Sequence, residues 1–121
     1  MSGTLYLVAT PIGNLEDFTF RAVRILGEVQ LIAAEDTRRT AKLLRHYDIT
    51  TKSTSLHEHN ERPKAPGLVR RLLAGDSIAL LSDAGTPVIS DPGLILVRQS
   101  LDAGVSVMAL PGPSAVIAAL I

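Results

Sequence analysis

The sequence predicts an α/β fold, a five-stranded and mainly parallel sheet with helices on both faces. Three observations carry this. Short apolar runs recur along the 121 residues, each followed by a segment with helical apolar spacing. The runs are apolar throughout rather than alternating, which fits parallel strands covered on both faces. And one stretch, Ser77 to Gly93, passes from an apolar run through a long small-residue loop into a helix start. That is how an open α/β sheet presents a ligand at its carboxyl edge.

The elements follow in order. Leu5 to Ala9 is the first strand, broken by Thr10-Pro11-Ile12-Gly13-Asn14. Asn14, with Asp17 three residues on, resembles a capping arrangement for a helix. That helix places Phe18, Ala22, Ile25 and Leu26 on one face and ends near Gly27. Gln30 to Ala34 is the second strand, and a helix over Thr40 to Tyr47 turns Ala41, Leu43 and Leu44 inward. A weak polar strand covers Lys52 to Leu56, and His57 to Pro66 reads as a polar loop. Leu68, Val69, Leu72 and Leu73 form the next helical stripe, which stops at Gly75.

Ile78 to Leu81 is the fourth strand. Nine residues separate Leu81 from Asp91, whereas a plain connection needs about 2–6. Asp91 and Pro92 suit an N-cap and a first helical position. The helix runs through Leu94, Ile95, Val97, Arg98 and Leu101 to Gly104. Val105 to Leu110 is the fifth strand. Pro111-Gly112-Pro113-Ser114 then leads into an apolar helix start, Ala115 to Ile121, with no cap and no polar face. This ending predicts a chain cut from something longer.

Composition narrows the class. Hydrophobic residues make up 46% of the chain and aromatics 3%, so the core is aliphatic. The absence of cysteine excludes disulfides and thiolate zinc sites. No apolar run approaches the roughly 20 residues of a membrane span, and the N-terminus lacks a basic signal-peptide start. A cytoplasmic protein with no membrane partner is expected. Net charge is zero, yet Arg38 to Arg71 holds nine bases against three acids, giving +6 there and −6 elsewhere. All three histidines, His46, His57 and His59, lie in the same stretch. An anionic partner such as RNA fits this asymmetry, and so do two solvated helix faces.

Three loops leave strands at one edge of the expected sheet: residues 10–14, 82–87 and 111–114. None matches a dinucleotide fingerprint or a P-loop. They share Gly and Pro, which let main chain approach a flat ligand closely. Asp83 can take a ligand hydroxyl or amine. Each loop alone is equally a plain turn; three at one edge point to a ligand.

The segments YLVATPIGNLEDFTFRA, AAEDTRRT, LHEHN, LSDAGTPVISDPG and LPGPSA resemble the tetrapyrrole methylase superfamily, from Thr4 to the last residue. Ala84-Gly85-Thr86-Pro87 replaces the Gly-Asp-Pro usual in tetrapyrrole-modifying relatives, so the resemblance is to the superfamily's ribosomal RNA branch. It implies methyl transfer from S-adenosylmethionine to a ribose 2′-OH of a cytidine in 16S rRNA of the small ribosomal subunit, with no metal. It implies two α/β domains with the cofactor between them, residues 1–121 being the N-terminal one and the second absent from this chain. It also implies a homodimer, and uncovered Val116, Ile117, Leu120 and Ile121 would favour association too. A corrin or porphyrin methylase and a non-catalytic RNA-binding module are the alternatives.

Carried onto this sequence, the resemblance gives Pro11, Gly13, Asp83, Ala84, Gly85, Thr86, Ser114 and Ala115 as cofactor-binding residues. Glu35 and Asp36 end a strand. Asp36 suits an N-cap, and either carboxylate suits acceptance of the ribose proton. Arg38, Arg39, Lys42 and Arg45 lie on a helix beginning at the ligand edge, where phosphate contact and surface solubility are both open. His57 and His59 alternate, so an extended segment would face both to one side. With no third ligand in view, RNA contact or a solvated loop fits them better than metal. Arg62 completes the RNA-facing set.

Overall fold

The structure, a computed structural model, describes residues 1–10, 18–82 and 93–110. It contains β1 (Thr4–Ala9), α1 (Phe20–Glu28), β2 (Leu31–Ala34), α2 (Thr37–His46), β3 (Ser53–Ser55), α3 (Glu61–Leu73), β4 (Ile78–Ser82), α4 (Leu94–Asp102) and β5 (Ser106–Leu110). The five strands form one sheet in the order β3-β2-β4-β1-β5. Every neighbouring pair is parallel.

The alternation of side chains across the pleat divides the core into two layers. Leu5, Leu7, Leu31, Ala33, Ile78 and Leu80 point to one face, under Ala65, Leu68, Val69 and Leu72 of α3 and Leu96 and Val97 of α4. Val8, Ile32, Ala34, Ala79, Leu81 and Leu110 point to the other, under Ala22, Ile25 and Leu26 of α1 and Leu43 and Leu44 of α2. Both faces are therefore covered, which is why these strands are apolar at consecutive positions. Connections that step toward β3 carry α1 and α2; those that step back toward β5 carry α3 and α4. A uniform crossover hand requires this change of face.

Several helix starts differ from the sequence reading. α1 begins at Phe20, where the side chain of Thr19 accepts the N–H of Ala22 at 3.0 Å; the cap expected from Asn14 and Asp17 lies outside the described residues. α2 begins at Thr37 rather than Thr40, and it buries Thr40, with Ala41 only half-buried. α4 begins at Leu94 with Gly93 as N-cap; Asp91 and Pro92 lie outside the described residues.

The largest difference is α3. The expected polar loop 57–66 is helical from Glu61 onward. Pro63 falls in the first turn, where its missing N–H has no intrahelical partner to lose. Pro66 does remove a helix bond, a defect of about 3 kcal/mol in an isolated helix. Burial of Ala65, Leu68, Val69 and Leu72 overrides it, since packing of an apolar stripe supplies most helical stability in a fold. Leu73, expected inward, is exposed at 46%.

Candidate functional site

All five strands end at one edge of the sheet. Ala9 pairs in register with Ser82, Val8 with Leu110, and Ala34 with both Leu81 and Ser55. The chain leaving β1 is tied to the end of β4: the N–H of Thr10 donates to the Ser82 carbonyl at 3.0 Å and its hydroxyl to the same oxygen at 2.9 Å. On the far side, the N–H of Leu56 donates to the Ala34 carbonyl at 2.8 Å.

The strand order makes this edge a switch point. β1 and β2 are followed by helices on one face, α1 and α2, while β4, between them, is followed by α4 on the other. The carboxyl ends at such a switch point are where open α/β sheets form a ligand crevice. The three loops singled out in the sequence leave β4, β1 and β5, which are adjacent. The candidate residues Pro11, Gly13, Asp83, Ala84, Gly85, Thr86, Ser114 and Ala115 lie outside the described residues, as do Val116, Ile117, Leu120 and Ile121.

Glu35 and Asp36 follow β2 at the same edge, and both are exposed. Asp36 is the N-cap of α2: its Oδ1 accepts the N–H of Arg38 at 2.9 Å and of Arg39 at 3.3 Å. The cap is one donor–acceptor solution to the orphan amides of a helix start, and the carboxylate also suits the positive end of the helix dipole. Arg38, Arg39, Lys42 and Arg45 are all exposed along α2. Arg38, Lys42 and Arg45, spaced by four and three residues, share one stripe. It begins at the carboxyl edge of the sheet and runs about 10 Å away from it.

His57 and His59 do not lie on an extended segment, as expected, but in a turn. The Asn60 side chain closes it by accepting the His57 N–H at 2.8 Å, while its amide donates to the Ser55 hydroxyl at 3.1 Å. The rings still meet, edge to face at 5.9 Å, and the His59 N–H donates to His57 Nδ1 at 3.2 Å. Arg62 is exposed beside them. Lys64 is engaged elsewhere, donating to Thr54 Oγ1 at 2.8 Å and the Ser55 carbonyl at 2.7 Å. No group of three His, Cys, Asp or Glu able to hold a metal occurs among the described residues, and no described helix is long and apolar enough to cross a membrane.

One residue escaped the sequence reading. Glu61 counted there only as an acid within a basic stretch, yet its side chain is buried at 2% exposure. Its Oε2 accepts the N–H of Gly93 and of Leu96, each at 3.0 Å. The only local sign was an acid opening an apolar helical stripe, and the prolines at 63 and 66 hid that stripe's beginning.

Comparison with known proteins bears on this edge. The family model described as Tetrapyrrole (Corrin/Porphyrin) Methylases matches residues 4–121. Ribosomal RNA small subunit methyltransferase I of Streptococcus pyogenes is 60% identical over 120 residues, 99% of this chain and 42% of that protein. The protein of the same name from Vibrio cholerae is 62% identical over 116 residues, 96% of this chain and 40% of its own length. The chain thus spans about two fifths of the length of these relatives. Uroporphyrin III C-methyl transferase of Thermus thermophilus superposes with a TM-score of 0.71 at 24% identity, covering 98% of this chain and 52% of that one. That likeness is one of fold.

Proposed function

Because the chain belongs to the family of tetrapyrrole (corrin/porphyrin) methylases, we propose that it is the first domain of a two-domain S-adenosylmethionine-dependent methyltransferase. Its substrate in this reading is 16S rRNA in the small ribosomal subunit, methylated at a ribose 2′-OH of a cytidine. The observation that carries the reading is that nearly the whole of this chain matches the two ribosomal RNA enzymes, at 60% and 62% identity, over about two fifths of their length. The fold likeness to a porphyrin-modifying enzyme carries no substrate with it.

The described strand ends fit the cofactor's chemistry. Thr10, Ser82 and Leu110, at the ends of β1, β4 and β5, carry no charge. A phosphorylated cofactor would want cations there, whereas a neutral nucleoside wants close approach to main chain. Pro11, Gly13, the 83–86 segment, Ser114 and Ala115 are the residues assigned to hold it. S-adenosylmethionine supplies a methyl group already activated on a sulfonium. The protein's task is then alignment, which can supply about 7–11 kcal/mol. A carboxylate at the end of β2, Glu35 or Asp36, takes the ribose proton, a contribution of about 10²–10⁴-fold. The α2 stripe, with His57, His59 and Arg62, holds RNA phosphates beside the crevice, and two copies of the protein form the working dimer.

The test incubates the intact protein with small-subunit RNA and labelled cofactor, then digests the RNA to nucleosides. Label in 2′-O-methylcytidine is expected; label in a base, or none, refutes the reading. Two variants of Asp36 separate capping from catalysis. Asp36→Ala should lose about 1 kcal/mol of stability, whereas Asp36→Asn keeps a capping oxygen and should lose only a few tenths. If Asp36 takes the proton, Asp36→Asn also loses turnover by about 10²-fold or more. Full turnover in that variant reduces Asp36 to a cap and leaves Glu35.

The basic stripe has its own signature. Glutamine at Arg38, Lys42 and Arg45 together should weaken RNA binding and lower the slope of log affinity against log salt by about 2, since each phosphate contact to a single strand contributes about 0.7. Anisotropy titrations over a range of salt measure it. An unchanged slope would leave the stripe as a solvated helix face.

A further inference from the structure

We propose that Glu61 is a positioning residue for the cofactor, holding Gly93 at the start of α4. The inference rests on the function proposed above and adds to it a residue that touches neither cofactor nor RNA.

The geometry is specific. Glu61 is the first residue of α3 and at the same time the acceptor at the start of α4, taking the N–H of Gly93 and of Leu96 on one oxygen at 3.0 Å each. One carboxylate thus sits at the positive ends of two helix dipoles, where a negative charge is favoured. Charge-assisted hydrogen bonds of this kind are roughly twice as strong as neutral ones. These terms oppose a large cost, because a carboxylate buried at 2% exposure has lost its water. An apolar side chain would seal the α3/α4 contact without that cost. What it could not do is fix the direction of two main-chain amides.

The amides concerned stand at a particular place. Gly93 is buried and left-handed, with φ 119°, a conformation that glycine adopts without strain. It is the first described residue after the segment that leaves β4 at the crevice. β4 is the central strand of the sheet; Ser82 at its end and Gly93 at the start of α4 flank the residues assigned to the cofactor. Ser82 is held by Thr10, through the two hydrogen bonds at 3.0 and 2.9 Å. Gly93 is held by Glu61. Glu61 is in turn tied to the histidine turn, its own N–H donating to the His57 carbonyl at 2.9 Å. Glu61 therefore joins the turn assigned to RNA to the start of α4, through its N–H on one side and its carboxylate on the other.

The test uses the intact protein with Glu61→Ala and Glu61→Gln, at a temperature where circular dichroism shows each variant fully folded. Calorimetry gives the dissociation constant for S-adenosylmethionine, anisotropy that for small-subunit RNA, and hydrogen exchange the protection of the Gly93 and Leu96 amides. Glu61→Ala is expected to weaken cofactor binding at least tenfold, leave RNA binding within twofold, and expose both amides to exchange. Glu61→Gln, which keeps an acceptor oxygen without the charge, should recover part of the loss. A folded Glu61→Ala that binds cofactor within twofold of wild type overturns the inference, whatever its melting temperature, because a merely structural role would move only stability. Should Glu61→Ala not fold, Glu61→Gln decides by the same criterion. Wild-type exchange at Gly93 and Leu96 should also slow when cofactor is added, and no change there counts against the proposal. A wild type that binds no S-adenosylmethionine overturns the proposed function and this inference together; equal binding by wild type and variants overturns the inference alone.

Discussion

Gly3→Ala should be strongly destabilising, costing about 3 kcal/mol and lowering the thermal midpoint by roughly 10 °C. A Cβ at Gly3 would overlap the carbonyl oxygen and carbon of Asp76 and stand 2.8 Å from the Ser77 amide nitrogen. These are main-chain atoms, so no side chain can swing away to make room. The surrounding bonds also resist retreat. The Gly3 N–H donates to the Leu72 carbonyl at 2.7 Å, and the Thr4 N–H to Ser77 Oγ at 3.0 Å. Parting them would disturb the start of the β1–β4 ladder, where Leu5 pairs with Ile78, both fully buried. Gly27→Ala is the matched control. Its Cβ meets nothing within 4 Å, and alanine in a helix is worth about 0.5–1 kcal/mol over glycine, so that variant should be slightly more stable. Urea denaturation of both measures the contrast; equal midpoints would mean that the β1 entry can open without cost.

Gly3 was invisible in the sequence, because its neighbour in space is Asp76, and nothing local marks a close approach between chain segments so far apart. The strands themselves were legible for the opposite reason. β1 and β4 are buried on both faces, so each residue from Leu7 to Ala9 and from Ile78 to Leu81 must be apolar, and the signal is local and continuous. The three strands whose following segments gather Gly, Pro and small residues, β4, β1 and β5, prove adjacent.

Where the reading failed, short-range signals competed with distant packing. Pro63, Pro66 and Gly67 announce a loop by every local rule, yet the stripe from Ala65 to Leu72 is buried and holds the helix. His57 and His59 have the spacing of a strand, but the Asn60 side chain folds them into a turn. Glu61 gave no periodic sign at all, since its partner Gly93 lies 32 residues away. The candidate catalytic pair was half legible. Asp36 as a cap followed from residue type, whereas the proton-accepting role is a reading of a carboxylate at a strand end, made against the ribose that the resemblance implies.

On its own, the 121-residue chain is expected to transfer no methyl group, and to bind S-adenosylmethionine on the order of fiftyfold to a hundredfold more weakly than a protein that continues as its relatives do. The relatives run well beyond the matched segment, which is 42% of one and 40% of the other. In the two-domain reading the carboxyl edge is one wall of the site. Uncovering on the order of 100 Å² of the adenosine by removing the opposite wall costs about 2.5 kcal/mol, which is close to two decades in affinity. Turnover suffers further, because a cofactor held from one side is not held in line, and alignment is the larger part of the rate. RNA binding should survive better. The exposed α2 stripe is present in the chain, and contact with phosphates needs no second wall, though it will fade steeply with salt. The two proteins can be compared side by side with small-subunit RNA and labelled cofactor, at equal concentration and low salt. Turnover by the chain alone within tenfold of the longer protein would mean that the edge of this sheet completes the site unaided, and the two-wall account would then be wrong.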